Sequence, residues 1–144
     1  MTRFSNTVMI SSDVKDVFQY LATMENFTAW NYAIEQIEKL DSNKGVVGSK
    51  YHLFREQGIQ TFEEIVITAH IPSERLVFEA SGNIFSYTMK YELEQQSDGT
   101  LLTNKAEIKS TGVKGTMIRM MKTNIKNAVN KNLHVLKNIF ESGE

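Results

Sequence analysis

The side chains able to do chemistry are few and scattered. The run "FEEI" sets Glu63 beside Glu64, and neighbours on an extended chain point to opposite faces, so one of the two turns inward. If Glu63 shares the face of Ile65, Ile67 and Ile71, it is a carboxylate beside apolar groups. Desolvation would then raise its pKa and suit it to general acid or base work, which makes it a candidate catalytic residue. The plainer expectation is that this end of the strand lies at a solvated mouth. Arg55 can meet Glu63 or Glu64 across the reversal at Gln57–Gly58, as a surface or mouth ion pair.

Metal and nucleophile chemistry find little support. The three histidines, His52, His70 and His134, lack the i, i+4 spacing that puts two on one ion, and His52 and Glu56 lie about 13 Å apart in a strand. The chain has no cysteine, which removes disulfides, thiolate metal sites and a Cys nucleophile. No GxSxG elbow, phosphate-binding loop or GxGxxG fingerprint occurs. The expectation is no metal and no cofactor.

Polar groups on apolar faces say more. Asn104 shares a strand face with Leu102, Ala106 and Ile108, and Asn132 falls inside the apolar stripe of the last helix. In "FSYTMKYEL" the period of two puts Phe85, Tyr87, Met89 and Tyr91 on one face, bringing two hydroxyls inward. Buried polar groups need partners, which a ligand, ordered water or the protein itself can supply. Met89, Met117, Met120 and Met121 fit irregular gaps, whether of a tolerant pocket or of an ordinary core. "ENFTAWNY" concentrates Phe27, Trp30 and Tyr32 in a short link, as a packing plug or a ligand wall; an indole is large enough to be both.

The elements that must position these residues follow from periodicity. "FSNTVMI" reads as a strand that stops at "SSD", with Ser12 as helix N-cap. Val14, Val17, Phe18 and Leu21 then recur at helical spacing, and Thr23 can cap a second, shorter helix running into Trp30. From Tyr32 to Ser110, reversals at "DSNKGVVG", Gln57–Gly58, "PSE", Gly82–Asn83 and "SDG" separate runs rich in Ile, Val, Phe, Tyr and Thr, the pattern of an antiparallel meander. Residues 115–141 form one long helix whose stripe includes Ile118, Met121, Ile125, Val129, Leu133 and Leu136. The order is strand, two helices, six strands, long helix. Such a helix buries its face on the concave side of a curved sheet.

Composition bounds the rest. At 144 residues, 41% hydrophobic and 23% charged, the chain reads most simply as a single globular domain, 1–144. It shows no export signal or membrane-length apolar run, so a cytoplasmic location without membrane insertion is expected. The net charge of −1 hides an asymmetry. Residues 110–140 carry Lys114, Arg119, Lys122, Lys126, Lys131 and Lys137 and no acid. That segment is basic and amphipathic, but its apolar face is owed to the sheet and exposed aromatics are missing. A solvated face is expected, not a nucleic-acid or membrane site.

The stretches "SSDVKDVFQYLATMENFTAWN", "GSKY", "IPSERLVFEASG" and the "GT" at 99–100, closed by the long helix, resemble the START-like, Bet v 1-like (SRPBCC) superfamily, within it the polyketide cyclase/dehydrase and lipid-transport group. The resemblance implies an α+β helix-grip fold: a seven-stranded bent antiparallel sheet wrapped round a long C-terminal helix, two short helices between strands 1 and 2, and a hydrophobic cavity between sheet and helix. Thr23 stands where such proteins often have an acid, and the proline often found after the tryptophan is missing. No shared catalytic set carries over. The expected function is binding or transport of a small hydrophobic molecule, with Trp30, Tyr87, Met89, Tyr91, Asn104, Met121, Ile125 and Asn132 as its lining. The alternatives are a cyclase/dehydratase-type enzyme using Glu63 or a tyrosine, and a co-chaperone-like interaction module. Oligomeric state is open.

Overall fold

The computed structural model describes residues 1–31, 33–40, 46–110 and 112–142. Tyr32 and the first five residues of the "DSNKGVVG" reversal, 41–45, lie outside them. Seven strands form one antiparallel sheet in the order β1-β7-β6-β5-β4-β3-β2. They are β1 (Thr2–Ile10), β2 (Ile34–Lys39), β3 (Lys50–Arg55), β4 (Phe62–Ile71), β5 (Arg75–Ser81), β6 (Ser86–Gln96) and β7 (Gly99–Lys109). Apart from β1, which returns to pair with β7, each strand lies beside its sequence neighbour. Short reversals leave no room for anything but hairpins. Helices α1 (Val14–Ala22) and α2 (Phe27–Trp30), joined by a single turn at Met24–Asn26, lie between β1 and β2.

The inner face follows the alternation. Along β6, Tyr87, Met89, Tyr91 and Leu93 are buried while their neighbours are only partly covered. On β4 the alternation runs cleanly through Glu63, Ile65 and Ile67, then a bulge between Ile67 and Ala69 shifts the register. Ile71 therefore faces solvent and does not continue the face of Ile65 as a regular strand would.

Local stops differ from the sequence reading in two places. The N-cap of α1 is Asp13, not Ser12: its carboxylate accepts from the Lys15 N–H at 2.8 Å, while Ser12 is held in the chain reversal by its own N–H to the Ile10 carbonyl. Thr23 caps nothing; its hydroxyl donates back to the Gln19 carbonyl at the end of α1.

The C-terminal helix is also not continuous. It divides into α3 (Gly112–Met120) and α4 (Lys122–Glu141) at Met121, where φ −93° and ψ 2° leave helical values. The Met121 N–H is shared between the Met117 and Ile118 carbonyls, a tightening of the last turn. Two glycines make α3 a weak helix on its own. Gly115 packs so closely on the Ser110 carbonyl that any Cβ there would collide. α4 runs along β1: Asn6 Nδ2 donates to the Lys126 carbonyl, and Lys137 Nζ donates to the Met9 carbonyl and pairs with Glu141. Leu133 and Leu136 point into the core between α4 and the sheet. Among the described residues no helix is long and apolar enough to cross a membrane.

Candidate ligand-binding site

Between the sheet and α4 lies a cavity of about 250 Å³. Its sheet wall is built by alternation: Leu53 from β3, Phe78 from β5, Tyr87, Met89 and Tyr91 from β6, and Ala106 and Ile108 from β7. Ile125, Ala128, Val129 and Asn132 of α4 face them at helical spacing. Phe27, Phe85 and the Gln57–Gln60 loop close the ends. The volume lies just below the range of ordinary small-molecule pockets, about 300–1,000 Å³.

One wall of this apolar space carries charge. Glu63 is 1% exposed, and its carboxylate accepts four hydrogen bonds. Tyr87 Oη donates to Oε1 at 2.6 Å, and Arg55 Nη2 donates to the same oxygen at 3.3 Å. Arg55 Nε and Gln60 Nε2 each donate to Oε2 at 3.2 Å. Arg55 Nη2 also reaches Tyr87 Oη at 3.3 Å, closing a triangle. The register explains the meeting: Glu63 stands opposite Leu53 on the β3–β4 ladder, two residues from Arg55 on the same face, and Tyr87 reaches across from β6.

Gln60 is the hinge of the cluster. While its Nε2 serves Glu63, its Oε1 accepts the backbone N–H groups of Ile84 and Phe85 at 3.0 and 3.1 Å. The amide so fills the space over Gly82 that no Cβ fits there. The β5–β6 reversal is thus tied to the charge cluster.

Electrostatics assigns protons. Burial, then the adjoining Glu63 carboxylate, push the Tyr87 phenol well above the ordinary tyrosine value, so it is a donor at neutral pH. Burial alone raises Tyr91 in the same direction. Arg55 is pulled down by burial, but Tyr87 and Glu63 outweigh that and hold the guanidinium charged. The expectation of a solvated Glu63 at the strand end is therefore corrected: the carboxylate is buried, because Gln60 and the β5–β6 reversal roof it.

Residues 1–141 match the sequence model of the family described as polyketide cyclase / dehydrase and lipid transport. The chain belongs to this family. No curated protein matches it. Among solved structures it is similar to the di-domain ARO/CYC StfQ from the steffimycin biosynthetic pathway, at 10% identity and TM-score 0.80 over 97% of this chain and 50% of that one. The chain thus spans about half the length of StfQ. It is also similar to TTHA0849 from Thermus thermophilus, at 14% identity and TM-score 0.76 over 99% of each chain. The Aha1 dimer from Colwellia psychrerythraea matches at 20% identity and TM-score 0.72, covering 100% of this chain and 99% of that one. At such identities the likeness establishes the helix-grip fold alone.

The structure gathers some of the candidate residues of this family member and separates others. Tyr87, Met89, Tyr91, Ile125 and Asn132 stand round the cavity. Trp30 is 2% exposed and packs on Phe27 and Tyr91 with ring centroids 4.9 and 6.0 Å apart, behind the cavity rather than in it. Asn104 lies beneath Met89, its Nδ2 on the Met89 sulfur, and does not reach the space. Met121 turns away at the helix break, onto an outer groove with Val113, Met117 and Met120. The period of 3.6 carried Met121 inward only because the helix was read as unbroken. Gln60 is the member of the cluster that sequence did not single out; its signal is Gly82, which leaves the space the amide needs. Among the described residues no group of three potential metal ligands forms.

Proposed function

We propose that this protein binds a small, mainly apolar molecule in the cavity between the sheet and α4, and that Arg55, Tyr87 and Gln60, gathered on Glu63, orient the part of it that enters the cavity. The observation that carries this reading is the cavity of about 250 Å³ whose mainly apolar walls hold one buried, hydrogen-bonded charge cluster. Burial of apolar surface at roughly 25 cal/mol per Å² supplies affinity, and the few polar groups supply orientation.

Binding is favoured over proton-transfer chemistry by the state of the cluster. A carboxylate has about four lone-pair sites, and Glu63 already accepts four hydrogen bonds. Tyr87, held well above its ordinary pKa, does not offer a base at neutral pH. An enzyme of the cyclase or dehydratase type would need one of these groups freed.

The test is native mass spectrometry of the protein from its own host, with denaturing extraction of what co-purifies. A stoichiometric apolar compound that is lost in a cavity-filling variant supports the reading. Bare protein that also ignores a broad set of lipids and aromatic compounds would sink it.

A further inference from the structure

The cavity is not isolated. A larger, open groove of about 990 Å³ runs between α4 on one side and α2 with the start of β2 on the other. Five residues, Asn31, Ile34, Gln57, Ala128 and Asn132, line both spaces. The partition is thin: Asn132 Nδ2 donates to Asn31 Oδ1 at 3.2 Å across it. Ala128, a small residue one turn before Asn132 on α4, lines both spaces as well.

The two spaces differ in chemistry. The cavity is mainly apolar, with its charge cluster on one wall and Asn31, Gln57 and Asn132 on the side it shares with the groove. The groove presents Asn124, Asn127 and Lys131 from α4 against Thr28, Asn31 and Glu56. Its one lysine and one glutamate balance, leaving neutral groups to set its preference. Asn124 and Asn127 are exposed, and their side chains make no hydrogen bond among the described residues. Two residues of the wall, Trp30 and Asn31, also carry buried donors (Nε1 and Nδ2) that have no partner among the described residues. An amide offers both donors and acceptors, which matches neutral hydroxyl or amide groups better than a bare ion.

We propose that the groove is the second half of one ligand site, and that it takes an uncharged, hydroxyl- or amide-bearing extension of the molecule whose apolar part fills the cavity. The inference rests on the cavity-binding function proposed above. The ligand class it names is an amphiphile with a neutral polar head, and the Asn31–Asn132 bond marks where head and apolar part meet.

Chain-matched probes separate the two claims. Octyl glucoside, octanoate and octyltrimethylammonium share one eight-carbon chain and differ in head group; each is titrated calorimetrically below its micelle-forming concentration. The glucoside should bind about tenfold tighter than the other two, the gain of one or two net hydrogen bonds. The double variant Asn124→Leu/Asn127→Leu should lose that preference and keep its octanoate affinity. Equal binding of all three probes, or a preference for octanoate, overturns the groove inference and leaves the cavity reading standing. Failure of all three to bind, with no response to octane-saturated buffer either, overturns both.

Discussion

Tyr87 donates its hydroxyl hydrogen to Glu63 over 2.6 Å, from a strand two removed from that of its partner, inside an otherwise apolar wall. The bond joins β6 to β4 above the intervening β5, and Arg55 of β3 closes on both residues. Three strands and the loop that carries Gln60 therefore meet on a single carboxylate.

That dependence makes the cluster non-additive. Glu63→Leu leaves the Arg55 guanidinium, whose side chain is only 25% exposed, without its counter-charge. Breaking a buried pair in this way costs about 3–5 kcal/mol, and the partial exposure of Arg55 places the loss at the lower end. Adding Arg55→Leu to Glu63→Leu should recover part of it, since an apolar pair of similar volume suits the wall. Urea denaturation of the two single variants and the double variant checks this; simple additivity would contradict the account.

Alkaline pH should act on Tyr87 and Tyr91, the two tyrosines that line the cavity. Their pKa values are raised in the folded state by burial, for Tyr87 also by Glu63, so above about pH 10 the folded protein holds protons that the unfolded chain releases. The stability is intact below the unfolded value and falls as pH climbs beyond it. The variant Tyr87→Phe/Tyr91→Phe should lose this steep alkaline decline, though it begins from a lower stability at neutral pH because Glu63 loses a donor. Melting curves from about pH 8 to about pH 11.5 on both proteins provide the comparison, spanning the ordinary tyrosine value.

How far the sequence reaches is visible in these same residues. The alternation in "FSYTMKYEL" places Tyr87, Met89 and Tyr91 inward, and the ladder agrees. The helical stripe of α4 follows equally from the period of 3.6, and the meander from β2 to β7 follows from the short reversals between runs. What periodicity does not carry is interruption. The bulge after Ile67 and the break at Met121 each shift the pattern, and each turns a side chain expected inward, Ile71 or Met121, towards the outside. Nor does it carry the roof over Glu63, which depends on Gln60 meeting a reversal 24 residues further along the chain. Asn104 has the right face but stands behind Met89, a matter of depth that no pattern of faces encodes.

Gly82 should behave as part of the cluster although it has no side chain. A Cβ there meets the Gln60 amide, so Gly82→Ala must displace it from Glu63 and from the Ile84 and Phe85 N–H groups. The expected cost is about 1–3 kcal/mol, that of buried hydrogen-bonding groups left unmade. In a Gln60→Ala background the same change should cost much less, because the obstacle has gone. A double-mutant cycle by chemical denaturation measures the difference, and an unchanged cost in both backgrounds would place the strain elsewhere.

The last expectation separates cavity from core. Val129 lines the cavity from α4 and is only half-buried, at the edge of the core, so Val129→Phe can direct its added bulk into the cavity. An overpacked core would lose about 1–3 kcal/mol to such a change. A cavity should absorb it with less than about 1 kcal/mol of loss, or a small gain, while binding of an apolar probe falls about tenfold or more. Thermal melting together with titration of a fluorescent apolar dye reads both at once. A large drop in stability with dye binding retained would mean that Val129 faces packed core and that the probe sits elsewhere.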